Sequence, residues 1–215
     1  MQAWESQIIR VSTGFLNTVN DALIGGVSGG TGQFSKYAQQ LGKTVTYVPE
    51  QITQMYDAAV GTLYGGRFRY VRMRAADADS PALVIGQILF IDTTVTAWET
   101  AYQVTRQENL SSVDNAVMIA GIYLGGFTPG NYGFIQDLGE VPVIFRASLT
   151  AAGAVGSRVY AAGAGAGADE GRADVLTTDA TSLAHARYLG KAITAPVAST
   201  LSRVAVDFTN VWGWT

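Results

Sequence analysis

A chain of 215 residues with a net charge of −3 is long enough for one substantial core, and too acidic overall to neutralise a nucleic-acid backbone. Charged residues make up only 14%, against roughly 25% in typical soluble proteins, although the hydrophobic share of 48% is ordinary. There is no cysteine, which excludes disulfides and thiolate metal sites and leaves the fold to packing and association.

The scarcity of charge reads as surface covered by other protein chains, because interface cores are depleted in charge and enriched in aromatic residues and Arg. The cations agree: three are Lys (Lys36, Lys43, Lys191) and eleven are Arg, the cation that tolerates burial through planar, bidentate contacts. Residues 1–30 lack the basic segment and continuous apolar core of a signal peptide, and no run approaches the roughly 20 apolar residues that span a bilayer. Neither export by the usual signal nor a membrane span is expected.

The first 66 residues read as an arm. Ile8, Ile9, Val11, Phe15, Leu16, Val19, Leu23 and Ile24 form an approximate helical stripe, and "PEQITQMYDAAVGTLYGG" (49–66) predicts a second short helix with Pro49 near its start. Two short helices joined by glycine and polar chain bury little alone, so their apolar faces are expected to be completed by neighbouring subunits, or by the same subunit's sheet. Gly26-Val27-Ser28-Gly29-Gly30 matches the spacing of a hydrolase nucleophile elbow, and His185 lies downstream. That elbow needs a strand before the serine and a helix after it, whereas helix-like and glycine-turn sequences stand there, so a flexible joint is expected. Gly42-Lys43-Thr44 resembles the end of a phosphate loop, but Tyr37 occupies the position of the required first glycine.

From residue 67 to 215 the texture is β, with strand-like runs at "RFRYVRM", "ALVIGQILFI", "AVMIAGIYL", "YGFIQDL", "VPVIFRAS", "SRVYAA", "ARYLGKAIT" and "LSRVAVDF". No helix-length pattern separates them, which disfavours a doubly wound parallel sheet and predicts a small antiparallel barrel or sandwich. In the first run Arg67, Arg69, Arg72 and Arg74 alternate with Phe68, Tyr70 and Met73. Parity puts Arg67 and Arg69 on one face and Arg72 and Arg74 on the other, implying a bulge or a change of exposure near Val71. The cluster reads either as a solvated strand edge or as a docking surface for an acidic protein partner.

Asp77 and Asp79 lack the glycine and distant glutamate of a calcium loop and predict a polar turn. Val204, Val206 and Phe208 alternate with Arg203, Ala205 and Asp207, as suits a strand with one wet face. "AAGAGAGADEG" (161–171) has no side chains for a core and predicts a flexible loop or hairpin tip. His185 has no second histidine or cysteine with which to share a metal. Trp4 near one end and Trp212 and Trp214 in the terminal "VWGWT" read, with Phe15, as anchors on other subunits, since tryptophan is enriched in interface hot spots.

Taken together, "GNYGFIQDLGEVPVIFRAS", the Ala/Gly-rich stretch and "ARYLGKAITAPVASTLSRVAVDF" resemble the C-terminal half of head decoration, or capsid cement, proteins of tailed bacteriophages. The resemblance covers about residues 67–208. It implies a β-barrel-like or tulip-like domain that forms a homotrimer on the outer surface of the capsid and ties major capsid protein subunits together, with no cofactor, no small-molecule substrate and no catalytic site. Another virion component, such as a tail-tube, adaptor or head-fibre protein, is the alternative. An esterase built on Ser28 and a carbohydrate-binding β-module are the readings from other classes.

Overall fold

The computed structural model describes residues 66–75, 77, 83–94, 102–107, 118–125, 127–162, 169–175 and 188–208 with their side chains. It describes 7–8, 44–47, 55–57, 61–63, 112–113 and 116–117 as backbone. The strands are β1 (Gln7–Ile8), β2 (Thr44–Tyr47), β3 (Met55–Asp57), β4 (Gly61–Leu63), β5 (Gly66–Met73), β6 (Ile88–Ile91), β7 (Gln103–Thr105) and β8 (Ser112–Val113). They continue with β9 (Ala116–Val117), β10 (Ile119–Tyr123), β11 (Tyr132–Ile144), β12 (Arg158–Ala161), β13 (Ala173–Val175), β14 (Tyr188–Ala192) and β15 (Leu201–Asp207). There is no α-helix among the described residues.

The protein is mainly β, built around a closed five-stranded barrel. Going round, β5 pairs with β7, β7 with β6, β6 with β10, β10 with β11, and β11 returns to β5. All these pairings are antiparallel except β5–β7, which is parallel. A second ring grows from the other half of β11 through β15, β14, β12 and β13. It is brought back to the residue that follows β11 by a parallel bridge between Phe145 and Ala173, beside which the Arg146 amide donates to the Ala173 carbonyl at 3.0 Å.

β11 is therefore the shared wall. Over Tyr132–Gly139 one edge pairs with β5, while the opposite edge pairs first with β10 at Ile135–Gln136 and then with β15 from Leu138 to Ile144. "YGFIQDL" and the first four residues of "VPVIFRAS" thus belong to one strand of 13 residues, carried through by a bulge at Asp137. Pro142 falls where β5 has ended, the half-paired position at which a residue without an N–H is tolerated. β7 and β13, three residues each, were too short to signal themselves in the sequence.

Two apolar clusters occupy opposite faces of the barrel strands. One takes Val71, Met73, Leu89, Val104, Ala120, Tyr123 and Ile135 with Phe127, drawing on all five strands of the closed barrel. The other takes Phe68, Tyr70, Ile88, Phe90, Ile119, Ile122 and Phe134 and continues through Val141, Val143, Val159, Val175, Leu189, Val204 and Val206 into the second ring. At about 1.5–3 kcal/mol for each fully buried large apolar side chain, these clusters dominate the stability. The alternation expected for β15 is seen: Val204 and Val206, with Phe208 beyond the strand, are buried, while Ala205 and Asp207 are exposed.

Of the N-terminal arm, residues 7–8, 44–47, 55–57 and 61–63 are described, as short strands. Within 49–66, β3 and β4 form an antiparallel pair, and β1 meets the first predicted helical stripe at Ile8. Short apolar runs do not distinguish helix from strand by periodicity, and Tyr56 and Thr62 favour the extended form. β2 adds to β5 antiparallel over Thr44–Tyr47, so the main sheet reaches back beyond residue 66. The remainder of the predicted helices lies outside the described residues, as do residues 163–168 of the Ala/Gly stretch.

At Gly190, φ is +155° and a Cβ would run into the Ala205 carbonyl of the neighbouring strand, so glycine is needed on both counts. Gly156 also has positive φ, +84°, but faces open space. Gly156→Ala is therefore expected to lose only the conformational term, about 1 kcal/mol. Gly190→Ala must also displace backbone and is expected to lose at least about 3 kcal/mol in urea denaturation. Equal losses for the two variants would contradict this account.

Candidate functional site

The four arginines singled out in the sequence lie along β5, which is not an edge: β11 covers one side, and β2 and β7 share the other. β5 itself runs without a bulge. The irregularity implied by the parity of the arginines sits on the partner strand, where the register with β5 slips between Gln136 and Leu138 and leaves Asp137 as the extra residue. The bulge aims the Asp137 carboxylate back at β5. It accepts from Arg67 Nε and Nη2 at 2.9 and 2.8 Å and from Arg69 Nε at 2.9 Å.

Asp137 is completely buried, and the Arg67 and Arg69 side chains retain only 21% and 10% of their exposure. Burial lowers the Arg69 pKa from its ordinary value, and the adjacent Asp137 charge works in the opposite direction. Arg72 lies 5.8 Å from the centroid of the Tyr132 ring, and Tyr132 in turn stacks on Tyr70 at 6.0 Å. Arg74 turns to the carboxylates that follow β5 and β6, 3.4 Å from Asp92 and 3.9 Å from Asp77.

Those two carboxylates belong to a second buried polar cluster at the ends of β5, β6 and β7. Asp77 accepts from Thr105 Oγ1 at 3.1 Å and from the Arg106 amide at 3.0 Å. Asp92 accepts from Gln103 Nε2 at 2.8 Å and from the Thr94 amide at 3.0 Å. Arg106, 1% exposed, has its Nε 3.7 Å from Glu170 of the turn before β13. Asp77 is thus engaged within a protein network, and Asp79 lies outside the described residues. Among the described residues no group of acidic or histidine side chains is arranged to hold a metal ion.

The surface counterpart of these buried charges is a lip at one end of the second ring. The turn 152–157 and the β14–β15 connection 193–200 lie side by side: the Gly156 amide donates to the Ala192 carbonyl at 2.8 Å, and Gly153 packs against the Pro196 ring. The connection is tied further by Val197 N to Ser202 Oγ at 3.3 Å and Ser199 N to the Arg146 carbonyl at 3.1 Å. Ser199 adopts φ +58°, the one non-glycine residue in the left-handed region among those described. On these braced loops Val155 is 71% exposed and Val197 54%. Neither 152–157 nor 193–202 contains a charged residue.

Trp4, Phe15, Trp212 and Trp214 lie outside the described residues, as do Ser28, Lys43 and His185. Sequence reasoning found the arginines but not their partners. Asp137 sits in a run that reads as plain alternation, and its role needs the bulge. The lip was legible only as a stretch without charge. No family model matches the chain, and neither curated proteins nor solved structures yielded a match.

Breaking a buried pair from one side leaves an uncompensated charge, which costs about 3–5 kcal/mol, whereas an exposed pair contributes roughly 1 kcal/mol or less. Asp137→Asn keeps the shape and removes the charge beneath two guanidinium groups. It is expected to lower stability by about 3–5 kcal/mol in urea denaturation. A loss below about 1 kcal/mol would mean that water, not Asp137, balances Arg67 and Arg69.

Proposed function

We propose that the protein is a phage head decoration protein: a structural, non-enzymatic subunit that binds the outer surface of the capsid and holds major capsid protein subunits together. The observation that carries this reading is the lip, whose two loops contain no charged residue and expose Val155 and Val197. Aliphatic side chains exposed on hydrogen-bonded, braced loops suit a permanent protein contact, because little order has to be gained on binding. Its apolar partner would be the major capsid protein.

The rest of the molecule supports the same reading. The described arginines of β5 are directed to carboxylates and an aromatic ring, so their charge is engaged within the protein. Assembly as a homotrimer would present three lips at once, and the tryptophans near both ends would add anchors, giving avidity that no single contact supplies.

Val155→Asp and Val197→Asp place charge on the lip at exposed positions, where little effect on folding is expected. Each is expected to weaken saturable co-sedimentation with undecorated capsids at least about tenfold, with light scattering reporting a trimer for the wild type and both variants. Unchanged binding by both variants would remove the lip from the interface. Absence of binding by the wild type, with rings or stacked tubes in solution, would replace the decoration reading with that of a tail component.

A further inference from the structure

The second ring is closed in two different ways. Ladders join β11 to β15, β15 to β14, β14 to β12 and β12 to β13, whereas β13 returns to Phe145 through an isolated bridge. Side chains complete this seam. Asp174 accepts from Arg146 Nη1 at 3.1 Å, from the Thr150 amide at 2.9 Å and from the Thr150 hydroxyl, and Asp169 stands 3.5 Å from Arg146 Nη2. The Asp174 side chain keeps 5% exposure, while those of Asp169 and Arg146 keep 33% each.

Arg146 also reaches the lip. Its amide donates across the seam to the Ala173 carbonyl, and its own carbonyl accepts from the Ser199 amide at 3.1 Å. The neighbouring Phe145 amide donates to the Thr200 carbonyl at 3.1 Å, so the turn Val197–Thr200 hangs from residues 145–146. The turn is tight: the Thr200 amide and hydroxyl both donate to the Val197 carbonyl, at 3.3 and 2.9 Å. Within it Ser199 holds φ +58°, and Val197 is exposed. A residue with a side chain keeps a left-handed backbone only where its surroundings enforce it. Here the Arg146 carbonyl bonds the Ser199 amide itself.

We propose that Arg146 is the positioning residue of the lip: Asp169 and Asp174 hold it across the seam, and it holds the Val197–Thr200 turn in the left-handed form that presents Val197. The inference rests on the lip being the docking surface. Neither aspartate belongs to the lip, whose two loops contain no charged residue. Closing the seam nevertheless sets the shape of the lip before a partner arrives, which reduces the ordering that binding requires. With the carboxylates released, Arg146 keeps only its backbone bond to Ala173 across the seam, and Ser199 is free to leave the left-handed region.

Amide hydrogen exchange of the full chain tests this, reading the Ser199 amide against the Ile91 amide, which donates to the Met118 carbonyl at 2.9 Å in the first barrel. Asp174→Asn is expected to cut Ser199 protection about tenfold and to leave Ile91 unchanged. Asp169→Asn, at a one-third exposed position where folding is not at stake, is expected to act in the same direction by about threefold. Both variants are expected to bind undecorated capsids more weakly than the wild type in co-sedimentation. Unchanged Ser199 protection in both, or a loss shared with Ile91, would overturn the positioning role whatever the capsids do. Lost protection with wild-type binding in both would overturn its part in docking. Normal binding by Val155→Asp and Val197→Asp would instead remove the docking surface itself, so the two failures are told apart.

Discussion

The fold depends on one carboxylate. Two apolar rings can share a wall only if a single strand serves both, and β11 does so by changing partners on one edge while keeping β5 on the other. The change takes place at a bulge, which twists the strand and leaves a residue outside the ladder. That residue is Asp137, and it stands against Arg67 and Arg69, which would otherwise be cations on a covered face. An apolar residue in its place would leave both guanidinium groups unbalanced, and a regular ladder would aim the carboxylate elsewhere.

Around that point the forces divide by kind. The apolar clusters supply most of the stability but little direction, since burial is proportional to area and indifferent to register. Direction comes from polar contacts at the ends of strands. Asp92 with Gln103, Asp77 with Thr105 and the Arg106 amide, and the turn carbonyls with Gln87 and Ile88 each fix one element against the next. Buried polar groups left unpaired cost about 1–3 kcal/mol each, so these networks select one arrangement from the many that would bury the same area.

The same division separates the interior from the surface. At one end of the second ring the segments 152–157 and 193–202 contain no charged residue other than Arg203 beyond them. Hydrogen bonds between adjacent loops hold that end in shape, including the left-handed backbone of Ser199.

Composition and alternation determined much of this by themselves. The β class, the run of strands from residue 67 and the inward positions Val204, Val206 and Phe208 follow from period-two patterning, because one buried face imposes it. The unusual shortage of charge was also plain in the sequence. Tertiary structure alone decided the rest. β7 and β13 are too short for a local signal and exist because neighbouring strands pair with them. Residues 55–57 and 61–63 carry apolar spacing compatible with either helix or strand, and pairing with each other settled the choice. The arginines of β5 read locally as an edge or a docking face. They became an internal network because Asp137, about 70 residues away along the chain, is turned toward them by a bulge that depends on both of its neighbouring strands.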